Sequence, residues 1–156
     1  MTIYLAPHLT QYHLLTGTAI DPNSLCQFLQ ITYQELYPAQ RDYQHLQLTV
    51  DRYLSTETPL WFVTTANSVK IACLWVGIAI DQITGIRHPN IFLIYVDPAH
   101  RRQGIGRALM GYAETWARAS GYTQIGLQVF TTNQPAIELY QQLGYESRSI
   151  SMMRDL

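Results

Sequence analysis

A short basic, glycine-containing segment carries the clearest chemistry in this sequence. After an apolar run over residues 91–96, the chain reads Asp97-Pro98-Ala99-His100-Arg101-Arg102-Gln103-Gly104-Ile105-Gly106-Arg107. This order indicates a buried strand that leads through a turn into a helix N-terminus, where the first backbone N–H groups have no helical acceptor. Such a terminus binds phosphate, and glycine lets a ligand approach the backbone closely. The segment therefore predicts a pyrophosphate-binding turn.

The helix after this turn is the best-defined element of the sequence. Its apolar residues recur at three- and four-residue steps and form one face, which comprises Ile105, Ala108, Leu109, Tyr112, Ala113, Trp116 and Ala117. Gly121 stands where a left-handed C-terminal cap is expected. A strand over 123–130 follows. Residues 91–130 thus predict a parallel, right-handed strand–helix–strand crossover.

The first half of the chain predicts helices followed by an antiparallel meander. Extended segments are expected at 3–6 and 12–15, and the pattern leaves open which of them joins the main sheet. One helix is predicted from Asp21 or Asn23 to about Tyr37, and a second from about Arg41 to Leu54. Strands at 61–63 and 69–80 flank a turn at Asn67-Ser68, and a loop is expected over 81–90.

The last part of the chain predicts one more helix and one more strand. Asn133 is expected to cap a short helix that begins near Pro135 and ends at Gly144, and residues 145–154 predict a final strand. We therefore expect a single domain over residues 1–156 of the mixed α/β class. Its sheet is expected to be mostly antiparallel, with one parallel crossover and about four helices.

Composition and charge limit the function classes. The 47% apolar content argues against disorder, and the net charge of −1 argues against nucleic-acid binding by bulk electrostatics. The N-terminus lacks a signal-peptide layout, and the apolar run over 71–80 is too short to span a bilayer, so a cytoplasmic location is expected. Cys26 and Cys73 lack metal-ligand spacing, and we expect no metal.

The turn resembles a known signature. The run Arg101-Arg102-Gln103-Gly104-Ile105-Gly106 is similar to the Arg/Gln-x-x-Gly-x-Gly/Ala pattern of the GNAT superfamily of N-acetyltransferases. Further features occur in the family's order: Ile94-Tyr95-Val96-Asp97-Pro98, Gly121-Tyr122, Asn133 with Ala136 before Tyr140, and Leu143-Gly144-Tyr145. The resemblance covers residues 60–150 well and the first 60 in outline. A dinucleotide fingerprint would need a third glycine, and a P-loop would need Gly-Lys-Ser/Thr.

The resemblance implies a GNAT-like fold and acetyl-CoA as the acyl donor. By family pattern, the cofactor contacts lie at Ile94, Tyr95, Val96, Arg101, Arg102, Gln103, Gly104, Ile105, Gly106, Arg107 and Asn133. The first three would pair with the pantetheine arm and the turn would hold the diphosphate, while the helix-cap role of Asn133 stays equally open. The family pattern makes Tyr140 the general acid that protonates the departing thiolate.

The general base is not evident. Where many relatives carry a carboxylate this chain has Phe92, and where some protein-acetylating relatives carry glutamate it has Gln128. Asp81, Glu35 and His88 are candidates by residue type only.

Two functions are therefore weighed. The first is an N-acetyltransferase, in which a primary amine attacks the thioester directly within a ternary complex. The alternative is a catalytically weak acyl-CoA-binding sensor or scaffold. The acceptor is expected to be a small-molecule amine or a peptide amine. No nucleic-acid or membrane partner is expected, and a homodimer through the terminal strands is compatible with the pattern.

Overall fold

The computed structural model describes residues 3–16 and 21–156. These residues form a six-stranded sheet and four α-helices, which follow the chain as β1 (Ile3–Tyr4), β2 (Tyr12–Thr16), α1 (Pro22–Leu36), α2 (His45–Tyr53), β3 (Leu60–Thr65), β4 (Lys70–Ile80), β5 (Arg87–Val96), α3 (Ile105–Ala119), β6 (Gly126–Leu127) and α4 (Gln134–Gln142). A 3-10 turn, Pro98–His100, precedes α3. The strands lie in chain order across the sheet.

The sheet is antiparallel except at its last pair. Strands β1 to β5 pair antiparallel with their neighbours, whereas β5 and β6 are parallel, with Asn90 opposite Gly126 and Ile91 opposite Leu127. The mixed α/β class and the parallel crossover predicted from the sequence are thus confirmed. Both N-terminal extended segments join the sheet, which settles the choice that the sequence left open.

Apolar clusters cover both faces of the sheet. On one face, α3 contributes Leu109 and Met110 to a cluster with Leu74 of β4. On the other face, Leu25 of α1 and Val50 of α2 pack into a cluster with Trp75, Leu93 and Tyr95. Because successive strand residues point to opposite faces, β4 is buried on both sides and forms the centre of the fold.

Of the two cap residues that the sequence left open, Asp21 and Asn23, the structure shows that Asp21 caps α1. Its carboxylate accepts from the backbone N–H of Ser24 at 3.0 Å and from Lys70 Nζ of β4 at 2.5 Å. The hydrogen bonds from Lys70 and Ser24 hold the pKa of Asp21 well below its usual range. The start of α1 is therefore fastened to the sheet.

Two predicted boundaries are wrong for local reasons. Helix α2 begins at His45 rather than near Arg41, because the Asp42 side chain accepts from the N–H of Gln44 and holds a turn there. Strand β5 begins at Arg87 rather than at residue 91, because a tight hairpin joins it to β4. In that hairpin the N–H of Asp81 donates to the carbonyl of Ile86 and Gly85 adopts a φ of +71°.

The C-terminal strands also differ from prediction. Strand β6 covers only Gly126–Leu127 instead of 123–130, and residues 145–154 do not form the predicted strand. Residues 146–156, which we call the C-terminal arm, are exposed along their whole length. Alternation of residue types favours a strand, but a strand also needs a backbone partner, which the arm lacks within the described part of the chain.

Candidate active site

Strands β5 and β6 separate after two paired residues and leave an opening between them. The last pair is Ile91 with Leu127. At this level β5 contains a β-bulge, because Leu93 pairs with Trp75 and Ile91 with Val76, so Phe92 has no partner on β4. Bulges bend the strand that carries them and increase its twist. The bulge therefore explains why β5 diverges from β6 over residues 92–96.

The strand register decides which backbone groups face the opening. The N–H of Asp97 donates to the carbonyl of Ile71 on β4 at 2.8 Å. In an antiparallel ladder the bonding direction alternates with each residue, so Tyr95 also bonds towards β4, whereas Ile94 and Val96 face the other way. The Val96 carbonyl accepts from Arg101 Nε at 2.8 Å, consistent with this direction. The N–H groups of Ile94 and Val96 therefore point into the opening.

The three strand residues predicted to contact the cofactor thus divide into two groups. Ile94 and Val96 present backbone groups to the opening. The backbone of Tyr95 belongs to the β4 ladder, opposite Cys73, and its side chain is buried against Phe28 with ring centroids 5.2 Å apart.

The predicted pyrophosphate turn presents a row of unpaired amides. Arg102 and Gly104 have φ angles of +62° and +90°, and α3 makes its first helical hydrogen bond from Ala108 to the carbonyl of Gly104 at 3.0 Å. Within the described residues, the N–H groups of residues 102–107 have no hydrogen-bond acceptor. Left-handed residues next to a helix N-terminus form anion-binding concavities. The residues present therefore fit a diphosphate.

The side chains around the turn have different surroundings. Arg102 and Arg107 are exposed, and Arg107 donates to the Gln142 side chain on α4 at 2.9 Å. Gly106 lies against α4, because a Cβ on it would stand 3.4 Å from Leu139 Cδ2. The turn is thus packed against α4 as well as leading into α3.

Arg101 is directed away from the turn. Its guanidinium forms a bidentate ion pair with Glu35 of α1, at 2.5 and 2.7 Å, and lies over the Tyr95 ring. The hydrogen bond from Arg101 lowers the pKa of Glu35. Arg101 therefore joins α1 to the end of β5, and Glu35 is a poor proton acceptor at neutral pH.

Helix α4 places Tyr140 on the α3 side of the sheet. Asn133 caps this helix, since its side chain accepts from the N–H of Ala136 at 3.4 Å. Tyr140 is only 7% exposed and belongs to the α3-side cluster, against which Ile94 and Val96 also pack. Burial raises the pKa of Tyr140 to about 12. The phenol therefore stays protonated throughout the neutral range.

Other groups considered as bases lie elsewhere. Ile80 pairs with Arg87 and Ala72 with Val96, so Asp81 and His88 lie at the end of the β4–β5 hairpin opposite the turn. The hydrogen bonds from Thr84 and Ile83 lower the pKa of Asp81. In the described part of the chain, His, Cys, Asp and Glu side chains form no group of three or more that could hold a metal ion.

Phe92 and Gln128, the two positions that lack a carboxylate, differ in burial: the first is packed against β4 and the second is exposed. The Phe92 ring packs directly over the Cα of Gly77 and meets the Trp75 ring edge-on, with centroids 5.1 Å apart. Gln128 follows β6 and is exposed. Neither side chain can therefore accept a proton from the amine.

Sequence reasoning missed two aromatic contacts. Tyr12 of β2 hydrogen-bonds to His100 and Gln103 beside the turn. Tyr37, after α1, meets Phe130, after β6, edge-on with ring centroids 5.2 Å apart. Both contacts join residues about 90 positions apart, and no local sequence signal marks them.

The comparison with known families decides the classification. The model of the acetyltransferase (GNAT) family matches residues 23–145, which include the opening, the turn and Tyr140. This chain belongs to the GNAT acetyltransferase family. The match confirms the family indicated by the glycine turn. In this GNAT chain, the separation of β5 from β6 opens the sheet beside that turn.

Curated relatives match this GNAT chain over part of its length. It is 32% identical over 100 residues to the ribosomal protein bS18-alanine N-acetyltransferase of Escherichia coli, covering 64% of this chain and 60% of that protein. It is 30% identical over 92 residues to human N-acetyltransferase 8, covering 51% and 40%. The chain therefore spans about half the length of these relatives.

Solved structures share the fold of this GNAT chain. The crystal structure of an aminoglycoside antibiotic 6′-N-acetyltransferase from Acinetobacter baumannii superposes with a TM-score of 0.66 at 21% identity, covering 93% of this chain and 99% of that one. At this identity the likeness establishes the fold. Among the described residues, none of the helices has the length and hydropathy needed to cross a membrane.

Proposed function

We propose that this chain is an N-acetyltransferase that transfers an acetyl group from acetyl-CoA to a primary amine by direct attack in a ternary complex. The observation that carries the proposal is the continuity of two features: the strand edge exposed at Ile94 and Val96 leads directly into the unpaired amides of residues 102–107. A strand edge suits an amide-bearing arm, and the turn suits a diphosphate.

The donor is proposed to lie along this continuous surface. The amides of residues 102–107 bind the diphosphate, with Arg102 and Arg107 adding charge at its rim. The N–H groups of Ile94 and Val96 and the carbonyl of Ile94 bind the amides of the pantetheine arm as an adjacent strand would, since the Val96 carbonyl already accepts from Arg101. Acetyl-CoA supplies an activated thioester, and this placement brings it beside β5, below the bulge at Phe92.

The reacting groups follow from this placement. An N–H facing the opening donates to the thioester oxygen as negative charge develops there. Tyr140 donates a hydrogen bond to the departing sulfur. A phenol with a pKa of about 12 is a weaker acid than a thiol, whose pKa is about 8.5. Proton transfer from Tyr140 is therefore favoured only while the thiolate is desolvated.

The acceptor amine is proposed to enter from the face covered by α1 and α2. Tyr37, which follows α1, and Phe130, which follows β6, contact each other and would border this entry. Since no carboxylate stands at Phe92 or Gln128, the amine arrives neutral or releases its proton to water. Small-molecule amines and peptide amines both suit this arrangement.

A sensor or scaffold that binds acyl-CoA with little turnover is the second candidate. It is favoured by the absence of carboxylates at Phe92 and Gln128, and disfavoured by Tyr140, which is retained at the cluster that borders the opening. Turnover decides between the two candidates.

The setting of the activity is also a proposal. A single domain over residues 1–156 is supported by the one sheet that joins β1 to β6. A cytoplasmic enzyme without a nucleic-acid or membrane partner is supported by the net charge of −1 and by the sequence features given above.

A homodimer is proposed on the basis of the C-terminal arm, with the arm of one copy added to the β6 edge of a second copy. Ile150, Met152 and Met153 of the arm are 85%, 86% and 96% exposed, and Val129 and Phe130 beyond β6 are also exposed. Unpaired strand edges and exposed apolar segments favour pairing with another chain.

The proposed function is tested by binding and turnover together. Calorimetry with CoA and acetyl-CoA measures donor binding, and thiol release over an amine panel, with mass spectrometry of the products, measures transfer. We expect binding of both nucleotides and thiol release equal to the acetylated amine. A folded protein that gives no heat with either nucleotide would contradict the donor site, and binding without turnover would favour the sensor.

A further inference from the structure

The N-terminal hairpin reaches the predicted diphosphate turn through one buried tyrosine. Tyr12 of β2 is 4% exposed, and its hydroxyl lies 2.8 Å from His100 Nδ1 and 3.0 Å from Gln103 Oε1. The Tyr12 and His100 rings meet edge-on, with centroids 5.6 Å apart. The same hairpin brings His8 to Gly104, since a Cβ on Gly104 would stand 3.4 Å from His8 Nε2. The hairpin therefore contacts the turn at two points.

The Tyr12 hydroxyl can serve both hydrogen bonds at once. A tyrosine hydroxyl has one hydrogen, and the Tyr12 hydroxyl donates it to the Gln103 side chain. With this orientation of the Gln103 amide, the 2.8 Å contact to His100 is a hydrogen bond in the tautomer that carries its hydrogen on Nδ1, which donates to the hydroxyl oxygen. Tyr12 thus uses its donor and one acceptor position to hold two side chains of the segment that leads into α3.

The turn needs such support because its backbone is strained. Arg102, a residue with a Cβ, has a φ of +62°, a left-handed conformation that persists only where the surroundings hold it. Gly104 follows at +90°. Gln103 lies between these two left-handed residues, so the hydrogen bond from Tyr12 to its side chain holds the middle residue of the turn in place.

We propose that Tyr12 is a positioning residue for the acyl donor: through His100 and Gln103 it keeps the amides of residues 102–107 directed at one diphosphate. The assignment rests on the proposed function. The Tyr12 hydroxyl contacts His100 and Gln103, so it is expected to affect how tightly the diphosphate-bearing donor binds and to leave the chemical step unchanged.

The test uses two donors that differ in the diphosphate. Tyr12→Phe keeps the buried ring and removes only the hydroxyl. We expect the KM for acetyl-CoA, and the Kd for CoA measured by calorimetry, to rise about 3- to 10-fold, as loss of one to two hydrogen bonds predicts. The kcat should not change. The KM for S-acetylpantetheine, which has the arm but lacks the diphosphate, should also stay at its wild-type value.

Two further variants make the test specific. Tyr43→Phe removes a hydroxyl that donates to the Gln40 carbonyl at 2.9 Å on the α1–α2 connection, and its Kd for CoA should equal that of the wild type. Gln103→Leu should weaken CoA binding by the same route as Tyr12→Phe. Because both substitutions act through the same hydrogen bond, the Kd for CoA of the double variant should be no higher than the higher Kd of the two single variants.

The outcomes separate this assignment from the proposed function. If the wild type binds CoA and Tyr12→Phe has the same Kd, the positioning role is wrong while the donor site stands. An equal rise in KM for both donors would also overturn it, because it would indicate a general structural defect. If the wild-type protein itself gives no heat with CoA, the proposed function falls and this assignment falls with it.

Discussion

Arg101 and Glu35 form a bidentate ion pair, at 2.5 and 2.7 Å, that links the last turn of α1 to the end of β5. The pair sits at one side of the opening and occupies the carboxylate of Glu35. Glu35 is therefore not available as a base, and Arg101 holds α1 against the end of β5 beside the turn.

We expect Glu35→Gln to keep most of the activity. The kcat/KM should fall less than about 10-fold, and the shape of its pH profile should not change, because Glu35 is already ionised and bound to Arg101. Steady-state kinetics from pH 6 to 9 check this. If the fall of kcat/KM at low pH seen in the wild type disappears in the variant, Glu35 accepts the proton from the amine.

The same variant should lower stability modestly and in a pH-dependent way. Both side chains are more than a third exposed, so the loss at pH 7 should be at most about 1 kcal/mol in the free energy of unfolding. Since folding lowers the pKa of Glu35, this contribution is present above its unfolded value of about 4.3 and is lost as the pH falls through the folded value. Urea unfolding at several pH values measures the difference from wild type.

Tyr140→Phe should reduce turnover while leaving donor binding intact. Loss of a proton donor to the leaving sulfur is expected to lower kcat about 100- to 10,000-fold, with the Kd for CoA unchanged. Because burial raises the pKa of Tyr140 to about 12, its ionisation should add no limb to the profile below pH 10. A variant with wild-type kcat would remove Tyr140 from the mechanism.

Gly104→Ala should damage the turn, and Gly111→Ala serves as its matched control. Gly104 has a φ of +90°, which costs an L-residue about 1–2 kcal/mol, so both stability and CoA binding should fall. Gly111 is an exposed helix residue of α3 with open space where a Cβ would go. Its replacement should stabilise the protein by about 0.5–1 kcal/mol. Thermal unfolding and calorimetry with CoA distinguish the two.

Gly77→Ala should conflict with the Phe92 ring. An added Cβ would overlap that ring, and overpacking of this kind costs about 1–3 kcal/mol. In a Phe92→Ala background the same substitution should cost almost nothing. Urea unfolding of the two single variants and the double variant measures this coupling, and additive effects would show that the Phe92 ring does not oppose the added Cβ.

Removal of residues 147–156 should yield a monomer. The full chain of 17.9 kDa is expected to sediment at about twice that mass, and the shortened chain at about its own mass. Ile150→Asp in the full chain should weaken association in the same direction, because Ile150 is exposed unless a second copy covers it. If the full and shortened chains have the same oligomeric state, whether both are monomers or both are dimers, the exchange of arms is wrong.

The sequence predicted the glycine turn and α3 well, because their signals are local. The apolar face of α3 repeats every three to four residues, and Gly104 and Gly121 have the positive φ angles that a turn and a C-terminal cap require. Asn133 was predicted as a cap, and Asp21 was one of two alternatives with Asn23; both Asn133 and Asp21 cap their helices through contacts three residues away.

The features missed by sequence reasoning depend on distant partners. Arg101 carries the family signature, yet its partner Glu35 lies 66 positions earlier. The bulge at Phe92 depends on how β5 aligns with β4, and the residue types of β5 alone do not reveal it. The same bulge ends the pairing with β6, which is why an eight-residue strand was predicted where two residues pair.

The bulge also has a kinetic consequence. Because one extra residue in β5 sets the gap between the strands, the gap is part of the resting fold and needs no hinge or lid to form it. A nucleotide thioester would therefore meet a preorganised cleft, so its capture should be a single step whose observed rate rises linearly with concentration.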